Sequence, residues 1–132
     1  RGCSQGGRNL GTCTKSPLSE EFKMEIIRYQ KEDGSIPLSG WLSELRDMQA
    51  KIAIRRRLDR FAKGNPGDTR AVQCGVNELR IDMGPGYRVY YAHHGRIIVV
   101  LLCGGDKSNQ KADIAQAVDY WEDWKTRNGS ST

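Results

Sequence analysis

The sequence predicts an α+β fold: a small, antiparallel-rich twisted sheet packed against an N-terminal helical hairpin, with a C-terminal helix. Three observations predict it. Residues 78–91 alternate apolar and polar on both sides of Gly84-Pro85-Gly86, the pattern of a β-hairpin. The uninterrupted, largely β-branched run 97–103 suits a central strand covered in part on both faces. Apolar residues recur at helical spacing in two stretches before the hairpin and one after it. Strand, two helices, three or four antiparallel strands and a helix make a two-layer α+β arrangement.

Taken in order, residues 24–29 form a plausible strand, ended by Asp33-Gly34-Ser35. A helix then starts between Pro37 and Ser39, because proline suits a first turn and serine can cap one. Leu38, Trp41, Leu42, Leu45 and Met48 form its expected buried stripe. A second helix spans 48–63 and stops at Gly64 with Pro66 beyond. Ala50, Ile54, Leu58 and Phe61 mark its inner side. A short strand is expected over 70–74, then the hairpin, then a turn at 92–95, then the central strand. Gly104-Gly105-Asp106-Lys107 closes that strand, and a last helix runs over 108–125. Ile114, Val118 and Trp121 are spaced to pack there, with Ala115, Ala117 and Trp124 alongside.

If the hairpin loop is three residues, Met83 pairs with Tyr87, Ile81 with Val89, and Leu79 with Tyr91. Those six then share one face. Arg80, Asp82, Arg88 and Tyr90 share the other, where two arginines could meet a phosphate or Arg88 could pair with Asp82 across the strands.

The chain of 132 residues, 37% hydrophobic, fits one domain with a modest core. Residues 1–23 are rich in Gly, Ser, Thr and Cys, lack an acid before Glu20, and precede the first methionine, Met24. They read as a leader or added tail, ahead of a domain over 24–125 and a disordered end over 126–132. No run approaches the roughly 18 apolar residues of a membrane span. Cys3, Cys13, Cys74 and Cys103 form no C-x-x-C pair, and the only histidines are adjacent, so metal-ligand spacing is absent. No cofactor is expected, and a reduced cytoplasmic setting is the default.

Between residues 51 and 70 there are seven bases and two acids, a surplus equal to the chain's net charge of +5. Lys51, Arg55, Arg56, Arg57 and Arg60 on the second helix are therefore candidates for binding a nucleic acid such as RNA or an acidic partner, against the plainer reading of a solvated helix face. The Gly104-Gly105-Asp106-Lys107 turn allows close backbone approach before a helix N-terminus, though without the longer phosphate-loop pattern. Arg80, Arg88 and Lys107 together suit stabilisation of charge on a phosphodiester attacked by an RNA 2′-hydroxyl, which needs no metal. That reaction also needs a proton acceptor and a donor. Tyr90, His93, His94, Lys111 and Asp113 are the groups to consider, the histidines being expected at an exposed turn.

The blocks Glu78-Leu79-Arg80, Gly86-Tyr87-Arg88-Val89-Tyr90 and Gly104-Gly105-Asp106-Lys107, in this order, resemble the RelE/ParE toxin superfamily. The similarity covers about residues 24–125 and is nearest to the HigB-like, phage-derived addiction module killer branch. The resemblance implies a toxin of a bacterial type II toxin–antitoxin system on a mobile element. It implies an mRNA interferase, an endoribonuclease hydrolysing message at the ribosome, silenced by a cognate antitoxin, a small helix-turn-helix protein. It maps the transition-state arginine onto Arg80, the second arginine onto Arg88 and the basic residue after the glycine turn onto Lys107. Where some members carry a tyrosine, this chain has Asp113, which leaves the general base unassigned. Two other functions stay open: a non-enzymatic, ParE-like inhibitor of DNA gyrase, and an inactive basic module that binds nucleic acid or an antitoxin. Scattering of the three cations, or their capture by a buried carboxylate, would count against the nuclease.

Overall fold

The computed structural model describes residues 25–95 and 97–128. The expected leader over 1–23 and residues 129–132 of the expected end over 126–132 lie outside them. Strand β1 is Glu25–Arg28, helix α1 Pro37–Glu44 and helix α2 Met48–Ala62. Strands β2 to β5 are Thr69–Gln73, Val76–Ile81, Tyr87–His94 and Ile98–Gly105. A 3₁₀ turn, Lys107–Asn109, leads into helix α3, Gln110–Arg127. The strands form one sheet in the order β1-β5-β4-β3-β2, antiparallel except where β1 runs parallel to β5. The α+β class is as expected.

The layering differs from expectation. Helices α1 and α2 cover one face of the sheet, while α3 covers the other. Strand β4 serves both cores: Tyr87, Val89 and Tyr91 point to the first helices, Tyr90 and Ala92 to α3. That alternation follows from the two-residue repeat of a strand. A register shift between Tyr90 and Tyr91 lets Leu102 and Cys103 both face α3.

Local chemistry sets the element ends. Pro37 sits in the first turn of α1. Asp47 caps α2 by accepting from the Ala50 amide at 3.1 Å. Ala50, Ile54, Leu58 and Phe61 are all buried, as their spacing predicts. Met48, expected in the buried stripe, opens α2 and is 64% exposed. Ala115 is likewise exposed, because Ala117, Trp121 and Trp124 form the inner side of α3. The helix continues past Lys125: Arg127 is ion-paired to Asp123 at 2.7 Å and donates to the Gln30 carbonyl.

Two boundaries moved at glycines. Gly104 and Gly105 belong to β5 rather than to a turn. The Trp41 ring lies against Gly104, and the Asp113 carboxylate lies against Gly105, where a side chain on either glycine would collide with them. In the hairpin, Asp82 and Met83 leave the ladder, and the loop has five residues, 82–86. Gly84 and Gly86 hold φ of 55° and 85°, and Gly86 donates to the Met83 carbonyl at 3.0 Å. Ile81 therefore pairs with Tyr87, Leu79 with Val89, and Arg80 with Arg88. The register moved by two residues, so each side chain kept its face while its partner changed.

Candidate functional site

At the hairpin end of the sheet a cleft of about 370 Å³ opens. Arg80 reaches it from β3, Arg88 from β4, and Lys107 from the turn before α3. The backbone of Gly84-Pro85-Gly86 forms one wall, and Asp68 and Asp82 add carboxylates. Gly86 has no side chain to obstruct it; a Cβ there would lie 3.5 Å from Arg88 Nη1 and 3.9 Å from Lys107 Cβ. The three cations expected from the sequence are thus brought together.

Behind them lies a group that reading the hairpin as two arginines and a tyrosine missed. Glu78 is wholly buried. Arg70 stands directly across from it on β2, Arg80 follows two residues on, and Arg88 is its diagonal neighbour on β4. The ion-pair distances to Glu78 are 3.3 Å from Arg88 Nε, 3.6 Å from Arg70 Nε and 4.0 Å from Arg80 Nε. Gln110, the first residue of α3, donates to Glu78 Oε1 at 2.7 Å. The signal was present: Glu78 shares the strand parity of Arg80.

This carboxylate divides the two hairpin arginines. The Arg88 side chain is only 10% exposed, and its Nη1 also donates to the Gly86 carbonyl at 2.9 Å. Arg88 is thus captured by a buried carboxylate, the outcome that counts against a nuclease, and stays a fixed charge lining the cleft. The Arg80 side chain is 41% exposed, and its Nε is shared at 4.0 and 3.9 Å between Glu78 and Asp68. The cross-strand partner of Arg88 is thus Arg80 rather than Asp82, which is exposed in the loop.

The acid–base candidates are dispersed. Tyr90 is wholly buried against α3, and burial, then the charges of Glu78 and Asp113, push its phenol far above its usual range. Solvent does not reach it. His93 is exposed five residues along β4 from Arg88, roughly 16 Å at about 3.3 Å per residue. It packs edge-on to Tyr91, and His94 packs on Trp124. Neither histidine is at a turn tip, because β4 extends through both. Lys111 is exposed on the first turn of α3 and does not line the cleft. Asp113 lies against Gly105 and does not line the cleft; burial, then Asp106, raise its carboxyl above the ordinary value. Two carboxylates that do line the cleft, Asp68 and Asp82, went unassigned, as did Tyr87. Burial, then Asp47 and Asp106, raise the Tyr87 phenol and keep it protonated.

The basic helix face divides as well. Arg57 turns inward and donates to the carbonyls of Arg80, Pro66 and Asp68. Burial, then the neighbouring Arg60 charge, lower its pKa. It is a structural clasp between α2, the following loop and β3. Arg55, Arg56 and Arg60 are exposed and Lys51 is half-buried; none of the four lines the cleft. Among the described residues, no helix is long and apolar enough to cross a membrane. Among the same residues, no three His, Cys, Asp or Glu side chains stand together to hold a metal ion.

A small sheet with helices on both faces and a cationic cleft at a hairpin end is the class that fold and site define. The chain belongs to the phage-derived Gp49-like protein family (DUF891), whose sequence profile matches residues 40–118. It is a toxin-like family of addiction modules. The match runs from α1 into α3 and includes Glu78, Arg80, Arg88 and Lys107. An uncharacterized protein of Haemophilus influenzae is 48% identical over 83 residues, covering 63% of this chain and 84% of the relative.

Proposed function

We propose that this protein is the toxin of a type II toxin–antitoxin pair, of the RelE/ParE, HigB-like kind. It cleaves messenger RNA at the ribosome, in the cytoplasm, without a metal. The observation that carries this reading is the convergence of Arg80, Arg88 and Lys107 on one cleft. Three cations on one phosphodiester stabilise the charge that builds as the RNA 2′-oxygen attacks phosphorus. The 2′-O–P bond forms and the P–O5′ bond breaks, leaving a 2′,3′-cyclic phosphate and a 5′-hydroxyl.

Proton transfer falls to groups at the cleft. Asp68 or Asp82 takes the 2′-hydroxyl proton, and the protonated Tyr87 phenol gives one to the leaving O5′. Arg80, the more exposed of the two arginines, meets the phosphate. Arg88 supplies fixed charge from below. A cognate antitoxin neutralises the toxin by covering the cleft with an acidic segment.

The test is cleavage of a translated message by purified protein on ribosomes. Arg80→Ala is expected to lower the cleavage rate by about 10²-fold or more, with the fold intact. Full cutting by that variant overturns the reading. So does a wild-type protein that leaves message whole and instead blocks gyrase supercoiling.

A further inference from the structure

Arg80 and Arg88 stand directly opposite each other on adjacent strands. Like charges in that position repel and would turn their side chains apart. Glu78 is placed to prevent this. It lies on the same face, two residues before Arg80 and diagonal to Arg88, and it is wholly buried. Its Oε1 is fixed by Gln110 at 2.7 Å, so the carboxylate is held by α3 as well as by its own strand. Solvent cannot reach it to let it act on substrate directly.

We propose that Glu78 is the positioning residue of the cleft: it holds Arg80 and Arg88 side by side so that both face one phosphate. This deepens, and rests on, the reading of the cleft as an RNA phosphodiester site. Glu78 acts through the arginines and touches no substrate. It also ties the site to the fold, because Arg70 on β2, Arg80 on β3, Arg88 on β4 and Gln110 on α3 all meet at one carboxylate.

Positioning and simple electrostatics predict opposite signs. Glu78→Gln removes a negative charge beside an anion site. If only net charge mattered, RNA would bind more tightly. If Glu78 arranges the arginines, RNA binds more weakly although the protein has become more basic. The probe is a short single-stranded RNA with every 2′-oxygen methylated, which the protein cannot cut. Its affinity is read by fluorescence anisotropy at fixed salt. Glu78→Gln is expected to weaken binding by about 5-fold or more, and to have a clearly smaller effect in an Arg80→Ala background, where only Arg88 is left to misplace.

Unchanged or tighter binding by Glu78→Gln overturns the proposal. Equal weakening in both backgrounds also overturns it, because that is the mark of a general structural defect. Should Glu78→Gln not fold, Gln110→Met decides, since it removes only the amide that fixes Oε1. It is expected to weaken binding about 2-fold in the same direction, and unchanged binding overturns the proposal. A wild-type protein that does not hold the probe overturns it too. A protein that binds the probe but leaves natural message uncut defeats the nuclease reading alone.

Discussion

On the face covered by α1 and α2, β4 presents Tyr87, Val89 and Tyr91 to an apolar core; on the face covered by α3, the same strand presents Arg88, Tyr90 and Ala92. The first face is closed by Leu38, Ile54 and Phe61. The second begins in the same way, with Val76, Val100 and Trp121, and then changes character toward the hairpin. There it buries Glu78 and most of Arg88. Arg88 Nε, which lies 3.3 Å from Glu78 Oε1, and Glu78 Oε2, which lies toward Arg70 and Arg80, have charged neighbours but no hydrogen-bond partner among the described residues, and neither has the Tyr90 hydroxyl. Buried polar groups left this way cost about 1–3 kcal/mol each. Apolar side chains of similar size would be at least as stable there. One face therefore holds the protein together, and the other gives up stability to place charge at a cleft.

The sharpest way to break that division is Phe61→Ala. Phe61 is 1% exposed and stacks edge-on to Tyr91, with ring centroids 4.8 Å apart. Truncation removes a large aromatic side chain from a packed core, so unfolding in urea should show a loss of about 3–5 kcal/mol. Cleavage per folded molecule should be unchanged, because Phe61 does not touch the cleft. A variant that keeps its stability but loses cutting would reverse the roles assigned to the two faces.

Much of the first face was legible in the sequence because it follows simple periods. Ala50, Ile54, Leu58 and Phe61 repeat at helical spacing, and Leu79 and Ile81 alternate along a strand. Even the wrong hairpin register preserved those faces, since it erred by two residues. Partners within the site were less legible. A loop of three residues sets Asp82 against Arg88, and one of five sets Arg80 there. In the five-residue loop Gly84 and Gly86 both hold positive φ. Arg57 was equally hidden. Among consecutive arginines on an exposed helix, nothing in the composition marks the one that meets three loop and strand carbonyls. Tyr90 could be placed beside β5 by order alone, but its burial under α3, and the approach of Asp113 on that helix to Gly105, depend on how the helix packs.

Arg57 is where the first face supports the site, so it sharpens the comparison. Its guanidinium donates to the carbonyl of Arg80 and to those of Pro66 at 2.9 Å and Asp68 at 3.3 Å. Asp68 in turn accepts from the Arg80 amide at 2.9 Å. Arg57→Ala should cost about 1–3 kcal/mol in urea unfolding. It should also slow cleavage, because Arg80 and Asp68 lose their shared anchor. Arg57→Lys should not restore either, since an ammonium lacks the planar fork that reaches three carbonyls. Arg55→Ala, on the exposed side of the same helix, should leave stability within about 0.5 kcal/mol of wild type. Equal losses from Arg55→Ala and Arg57→Ala would mean that the clasp contributes nothing beyond charge.

The smallest expected effect belongs to Asp113, and its sign is the informative part. Burial, then the charge of Asp106, raise its carboxyl above the ordinary 3.8. The folded chain therefore holds that proton more tightly than the unfolded chain does. The resulting stabilisation is fully present below the unfolded value and is lost as pH rises through the folded one. At neutral pH the ionised carboxylate is a net cost to the α3 face. Asp113→Asn keeps the shape that lies against Gly105 and removes the charge. Its melting temperature should exceed the wild-type value near neutral pH, and the two should converge as pH falls below about 4. A gap independent of pH would show that the carboxylate is not held under strain there. If Asp113→Asn instead abolished cleavage while the protein stayed folded, a proton-transfer role would have to be restored to this residue, and the α3 face would carry chemistry as well as charge.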